Sequence, residues 1–224
     1  MTFSLLGRCE RSGRLGMVVS SSSPAVAARC VHVRPRIGIA ASQNVTDPRL
    51  GPLLLDELAA GRDARGAIDA VVAGTPQVEH RQLIVLAGDG DGASYTGAAA
   101  LGLHGDRRGP GCAAAGNLLA DESVLDAMTE TFAVNHELEL GDRLVAALRA
   151  AAQAGGEAGP VHSAGLVMTG DVAWPVADLR VDWHDDPIEE LAAVWDVYRP
   201  QLDDYVARAL DPTAAPAFGV PGDE

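Results

Sequence analysis

MTFSLLGRCERSGRLGMVVS, residues 1–20, decides the fold class. Thr2, Ser4 and Leu6 alternate with Phe3 and Leu5, the two-residue period of a β-strand with unlike faces. RSGR (11–14) turns the chain, and LGMVVS (15–20) returns as the second strand of a hairpin. A β-rich start of this kind leaves the rest of the chain to supply further strands and the helices that cover them.

RIGIAAS (36–42) reads as a third strand, and Asp47-Pro48 breaks the pattern after it. LGPLLLDELAA (50–60) predicts a helix ended by Gly61, and residues 64–73 predict another ended by Gly74. RQLIVLAG (81–88) is a continuous apolar run of strand length, which fits a strand covered on both faces. GDGDG (88–92) turns it into ASYTGA (93–98); the turn lacks the later glycine and glutamate of a calcium loop. GDRRGPG (105–111) reads as a loop with no phosphate cradle.

Two helices follow, one with Val124, Leu125, Met128 and Phe132 on one face, the next repeating at Leu140, Leu144, Leu148 and Ala151. HSAGLVMTG (162–170) and ADLRVDW (177–183) predict two more strands. A last helix starts at Asp186-Pro187-Ile188-Glu189, with Asp186 as cap and Glu189 completing a capping box, and Pro200 should interrupt it. The pattern is α+β: stacked, mostly antiparallel sheets covered by paired helices, one domain over residues 1–210 with a proline-rich, loose tail at 211–224.

All 17 basic residues are arginines, so lysine Schiff-base chemistry and a P-loop are excluded. A net charge of -14 disfavours nucleic acid and anionic membranes as partners. Three cysteines without a CxxC pair point away from a disulfide framework and from structural zinc, and toward a reducing cytoplasm. FSLLG (3–7) is too short for a secretory signal, and no apolar run has transmembrane length, so the reading is a soluble protein.

The six histidines form no HxH or HExxH pair, and Asp185 and Asp186 are accounted for by a helix start; no metal and no cofactor are expected. There is no G-x-S-x-G elbow, and the serine run 20–23 reads as a strand end. Cys112, in an apolar stretch with no local base, reads as structural. Thr2 is different. If Met1 is removed, one residue carries both a hydroxyl that can attack and an α-amine that can take its proton.

MTFSLLGR (1–8), GRLGMVVSSSSPAV (13–26), GIAASQNVTDPRLGPLLLDELAAG (38–61), RQLIVLAGDG (81–90) followed by YTG, AAGNLLA (114–120), HSAGLVM (162–168) and DLRVDWHDDPIEEL (178–191) occur in the order and spacing of one family. Together they resemble the domain-of-unknown-function 1028 family, which is grouped with the N-terminal-nucleophile (Ntn) hydrolases. The resemblance runs over nearly the whole chain. It implies a four-layer αββα sandwich and a hydrolase of amide or related acyl bonds in a small-molecule substrate whose identity is not settled for the family.

By position, the resemblance makes Thr2 the nucleophile after loss of Met1, with Asn117 offering its amide to the oxyanion. Ser42 and Gln43, at the end of the third strand, are implied to bind substrate or hold the amine. Ser21 and His32 complete the expected substrate-binding set. Three positions depart from the family pattern: Ser22 stands where a basic residue is common, and Ala115 and His162 stand where glutamines are expected. The alternative readings are therefore a catalytically silent small-molecule-binding protein on the same scaffold, or a structural subunit. A homo-oligomer is expected, with the acidic surface and the Trp195/Tyr198 helix serving assembly.

Overall fold

A computed structural model describes residues 2–222. β1 (Thr2–Arg8) and β2 (Leu15–Ser21) form the hairpin that the alternation predicts, with Phe3 opposite Ser20 and Arg8 opposite Leu15. β1 lies inside a six-stranded sheet. Its other members are β7 (Gly105–Gly109), β8 (Cys112–Asn117), β9 (Ser163–Thr169) and β10 (Pro175–Val181), in the order β10-β9-β2-β1-β8-β7. A second, four-stranded sheet runs β3 (Val31–Arg34), β4 (Gly38–Asn44), β5 (Arg81–Ala87) and β6 (Gly92–Thr96). Every neighbouring pair is antiparallel.

Strand alternation sorts the apolar side chains into three layers. Phe3, Leu5 and Val18 pack with Met128 and Phe132 of α4 (Ser123–Val134), Leu144 and Leu148 of α5 (Leu140–Gln153), and Trp195 of α6 (Pro187–Tyr198). On the other face of the same strands, Leu6, Met17 and Val19 meet Ile39, Ala41, Ile84 and Leu86 between the sheets. Ala40, Leu83 and Val85 then meet Leu54 and Leu58 of α2 (Leu50–Ala59) and Ile68 of α3 (Ala64–Gly74). Each fully buried Leu, Ile, Met or Phe contributes roughly 1.5–3 kcal/mol, and neither sheet can bury both faces without a helical layer outside it. The result is an αββα sandwich, the architecture the pattern and the resemblance both imply.

Three local expectations are corrected. Residues 105–109 form the edge strand β7, not a loop; an edge tolerates the short, charged sequence Gly-Asp-Arg-Arg-Gly, and Arg107 pairs there with Asp126 at 2.6 Å. Residues 26–34, given no element by the periodicity, form the short helix α1 (Val26–Cys30) and β3. The capping box at 186–189 is not made. Asp186 N–H donates to His184 Nδ1 at 3.0 Å, while Glu189 accepts two bonds from Arg149 at 2.8 and 2.5 Å. Pro200 does interrupt the last helix, which resumes as α7 (Leu202–Leu210) after a 3-10 turn. Among the described residues no helix is long and apolar enough to cross a membrane.

Candidate active site

The space between the sheets is apolar along most of its length and polar at one end. Alternation along β1 sends Leu6 into that space, and with it Ser4 and Thr2. The same period on β8 (Ala113, Ala115) brings Asn117 inward, and on β2 (Met17, Val19) brings Ser21 inward. Thr2 lies directly opposite Asn117, and Ser21 directly opposite Ser163 of β9. Since Phe3 pairs with Ser20, Ser21 stands beside Thr2. Asn117, Thr2, Ser21 and Ser163 therefore make a polar row across the six-stranded sheet. All four are buried.

The facing sheet supplies a second row. Gln43 of β4 lies opposite Gln82 of β5, and Gln82 lies opposite Thr96 of β6. Gln82 Nε2 donates to Thr96 Oγ1 (3.0 Å) and to the carbonyl oxygens of Gly116 (2.9 Å) and Gly105 (3.2 Å). Carbonyl oxygens only accept, so these bonds fix which way the amide points. Gln82 Oε1 then accepts from Gln43 Nε2 at 2.8 Å and from Asn117 Nδ2 at 3.0 Å. Ser4 Oγ closes the network by donating to Gln43 Oε1 at 2.9 Å. Asn117 Oδ1 is left buried without a hydrogen-bond partner.

Ser42 and His32 do not join this group. Ser42 alternates with Gln43 and faces α2, where its Oγ accepts the Asp47 N–H at 3.3 Å. His32, between the inward-packing Val31 and Val33, lies on the outer face of β3 against Gly51 of α2. Burial holds its imidazole below the ordinary value, and its Nε2 has no partner. The strand period separates each of these two from Thr2 by the thickness of the four-stranded sheet.

Two residues that the sequence reading passed over stand at the site. Gln82 is the hub of the amide network. Glu157 is the other: the residue is 4 % exposed, Oε1 accepts the Ser22 N–H at 3.0 Å, and Oε2 is buried without a partner. Burial pushes its carboxyl up from the usual value, opposed by the Ser22 bond and by the nearby His162. Its position follows from the turn before it. Gly155 (φ 117°) and Gly156 (φ 57°) take the left-handed backbone that ends α5, and they lead the chain back over the ring of Phe3. His162 N–H donates to Ser21 O at 2.8 Å, and its ring stacks on Trp183 with centroids 4.4 Å apart.

Residues 2–191 match a family described as a family of unknown function, DUF1028. Among solved structures, protein SPO2555 from Silicibacter pomeroyi, assigned to DUF1028, is 30% identical with a TM-score of 0.82 over 88% of each chain. Anbu from Hyphomicrobium sp. strain MC1 is 11% identical over 97% of this chain and 100% of its own, with a TM-score of 0.45. Anbu from Yersinia bercovieri, described as an ancestral beta-subunit, is 8% identical over 90% of this chain and 96% of its own, with a TM-score of 0.43. No curated protein matches the sequence.

Proposed function

The chain belongs to the DUF1028 family, and from that premise we propose that it is an N-terminal-nucleophile hydrolase of an amide or related acyl bond, with Thr2 as nucleophile once Met1 is removed. The observation that carries the reading is the place of Thr2: first on an inner strand, facing the polar end of the sandwich, directly opposite Asn117. Thr2 Oγ attacks the substrate carbonyl carbon while the α-amine of the same residue takes the hydroxyl proton. An α-amine with an ordinary pKa of roughly 7.7–8.0 is partly neutral at working pH and serves as that base. The resulting oxyanion needs held donors, each worth about 3 kcal/mol.

Asn117 gives one N–H to Gln82 and keeps a second for the oxyanion. Collapse expels the leaving group with the proton from the ammonium and leaves an ester on Thr2. Water, deprotonated by the amine, then releases the acid and restores the hydroxyl. Gln43 and Ser21 flank this chemistry as substrate contacts, while the amide network holds Asn117 in place.

A silent binding protein is the second reading, favoured by the burial of Thr2, which is 4 % exposed. Intact mass separates the two. The hydrolase requires a chain beginning at Thr2 that a β-lactone acylates on that residue, with Thr2→Ala unlabelled. Retention of Met1 in most molecules overturns it, and a free Thr2 that never labels favours the binder.

A further inference from the structure

Glu157 is a carboxylate kept inside the protein at a cost, with one oxygen unused. Such a group ordinarily has a paired charge or a full set of donors. Its location says which donor it faces. The segment carrying it bonds to both neighbours of β1. On the β8 side, Leu119 bridges to Glu157, Ala120 N–H donates to Gly156 O at 3.0 Å, and Ala158 N–H donates to Leu118 O at 2.9 Å. On the β2 side, Glu157 Oε1 takes the Ser22 N–H. The segment thus crosses the end of β1 at which Thr2 stands, with Gly156 over Phe3.

A second buried oxygen without a partner, Asn117 Oδ1, belongs to the residue opposite Thr2. The strand end therefore holds two acceptors and no donor that matches them among the described residues. An ammonium group carries three N–H donors and a positive charge.

We infer that Glu157 is a positioning residue that receives the α-amine of Thr2 on Oε2, turning the amine toward the Thr2 hydroxyl and sharing its proton. The inference rests on the Thr2 reading above. Asn117 Oδ1 takes a second N–H, which leaves the amine's orientation fixed from two sides. The titratable side chain whose charge acts on Glu157 is His162. Ser22 meets the Glu157 carboxylate with both its hydroxyl and its backbone N–H but brings no charge, and Oε2 stays without a partner.

The chain contains no lysine, so an amine-acylating reagent reports on the α-amine alone. Full-length wild type and Glu157→Gln, each shown by intact mass to begin at Thr2, are acylated across pH 5–10. A facing carboxylate favours the charged amine, so the midpoint of the rate profile should fall by about one pH unit or more in Glu157→Gln. Equal midpoints in two folded proteins overturn the inference while leaving Thr2 as nucleophile untouched. Chains that keep Met1 overturn both.

Should Glu157→Gln fail to fold, the wild type alone decides the matter. Acetylating the α-amine removes its charge, and the Glu157 carboxyl, followed by carbon-13 resonance, should then titrate at higher pH. A carboxyl midpoint that ignores acetylation overturns the assignment.

Discussion

Gln82 Oε1 accepts the Asn117 Nδ2–H at 3.0 Å, a side-chain bond that ties the four-stranded sheet to the six-stranded one. Gln82→Ala strips partners from Asn117 Nδ2, Gln43 Nε2 and Gly116 O inside the sandwich. Each buried group left unpaired costs about 1–3 kcal/mol, so the variant should lose about 3 kcal/mol or more. Urea denaturation reads this, and a loss below about 1 kcal/mol would mean that the network is not the fastening described here.

His32 should behave as a packing residue. A Cβ at Gly51 would lie 2.0 Å from His32 Cδ2, so Gly51→Ala should destabilise strongly, and adding His32→Ala should restore much of the loss. That non-additivity is the signature of direct contact. The imidazole also gives a pH signal. Its folded value lies below the ordinary 6.5, so the unfolded chain takes the proton first. This contribution is complete above about pH 6.5 and is lost as pH falls from there toward the depressed folded value. Melting curves between pH 8 and 5 should show a decline in wild type that His32→Leu reduces.

Asp47 moves stability in a more acidic window. Hydrogen bonds from the Arg49 guanidinium, with a smaller contribution from its backbone N–H, hold the Asp47 carboxyl down to about 2. Its contribution is present above the unfolded value near 3.9 and is lost as pH falls through about 2. Arg49 is largely exposed, so salt screens the pair and Asp47→Asn should cost only about 1 kcal/mol at pH 7. Urea midpoints at pH 7 and 3, with and without 1 M salt, check this: the cost should shrink with acid and with salt.

Arg143 is 5 % exposed, donates to Phe132 O from Nε (3.2 Å) and Nη2 (2.9 Å), and lies 3.8 Å from the centroid of the Phe132 ring. Arg143→Ala removes the partner of that carbonyl and the cation over the ring, an expected loss of about 2–4 kcal/mol. For a domain of this size that is a fall of roughly 4–16 °C in Tm. Arg143→Lys, with a compact ammonium, should recover only part of it.

Elements with a long, unbroken period were legible from the residues alone: the β1–β2 hairpin, the paired helices α2/α3 and α4/α5, and β5. β3 and β7 were not, because four or five residues rich in Arg, Gly and His carry too little alternation to stand apart from a turn. At the site, Thr2, Asn117, Gln43 and Ser21 come together across two sheets, a contact no local pattern encodes. Gln82 had a readable signal: a lone amide in RQLIVLA, on the same side as Ile84 and Leu86, is a polar group sent inward. Glu157 had only the glycine pair before it. Ser42 beside Gln43 was misleading, since adjacent residues on a strand always face opposite ways.

The sandwich interior is joined by two kinds of contact along its length. Leu6, Met17, Ile39 and Leu86 touch through dispersion and water exclusion, which have little directional demand, so exchanges of similar volume there should cost less than about 1.5 kcal/mol. Ser4, Gln43, Gln82 and Asn117 meet through bonds that tolerate only fractions of an ångström. The amide end therefore works as an index pin, setting the registry of one sheet over the other. Drift in the apolar length is absorbed before it reaches Thr2, so the centre of this chain can be repacked while the threonine and its surroundings keep their geometry.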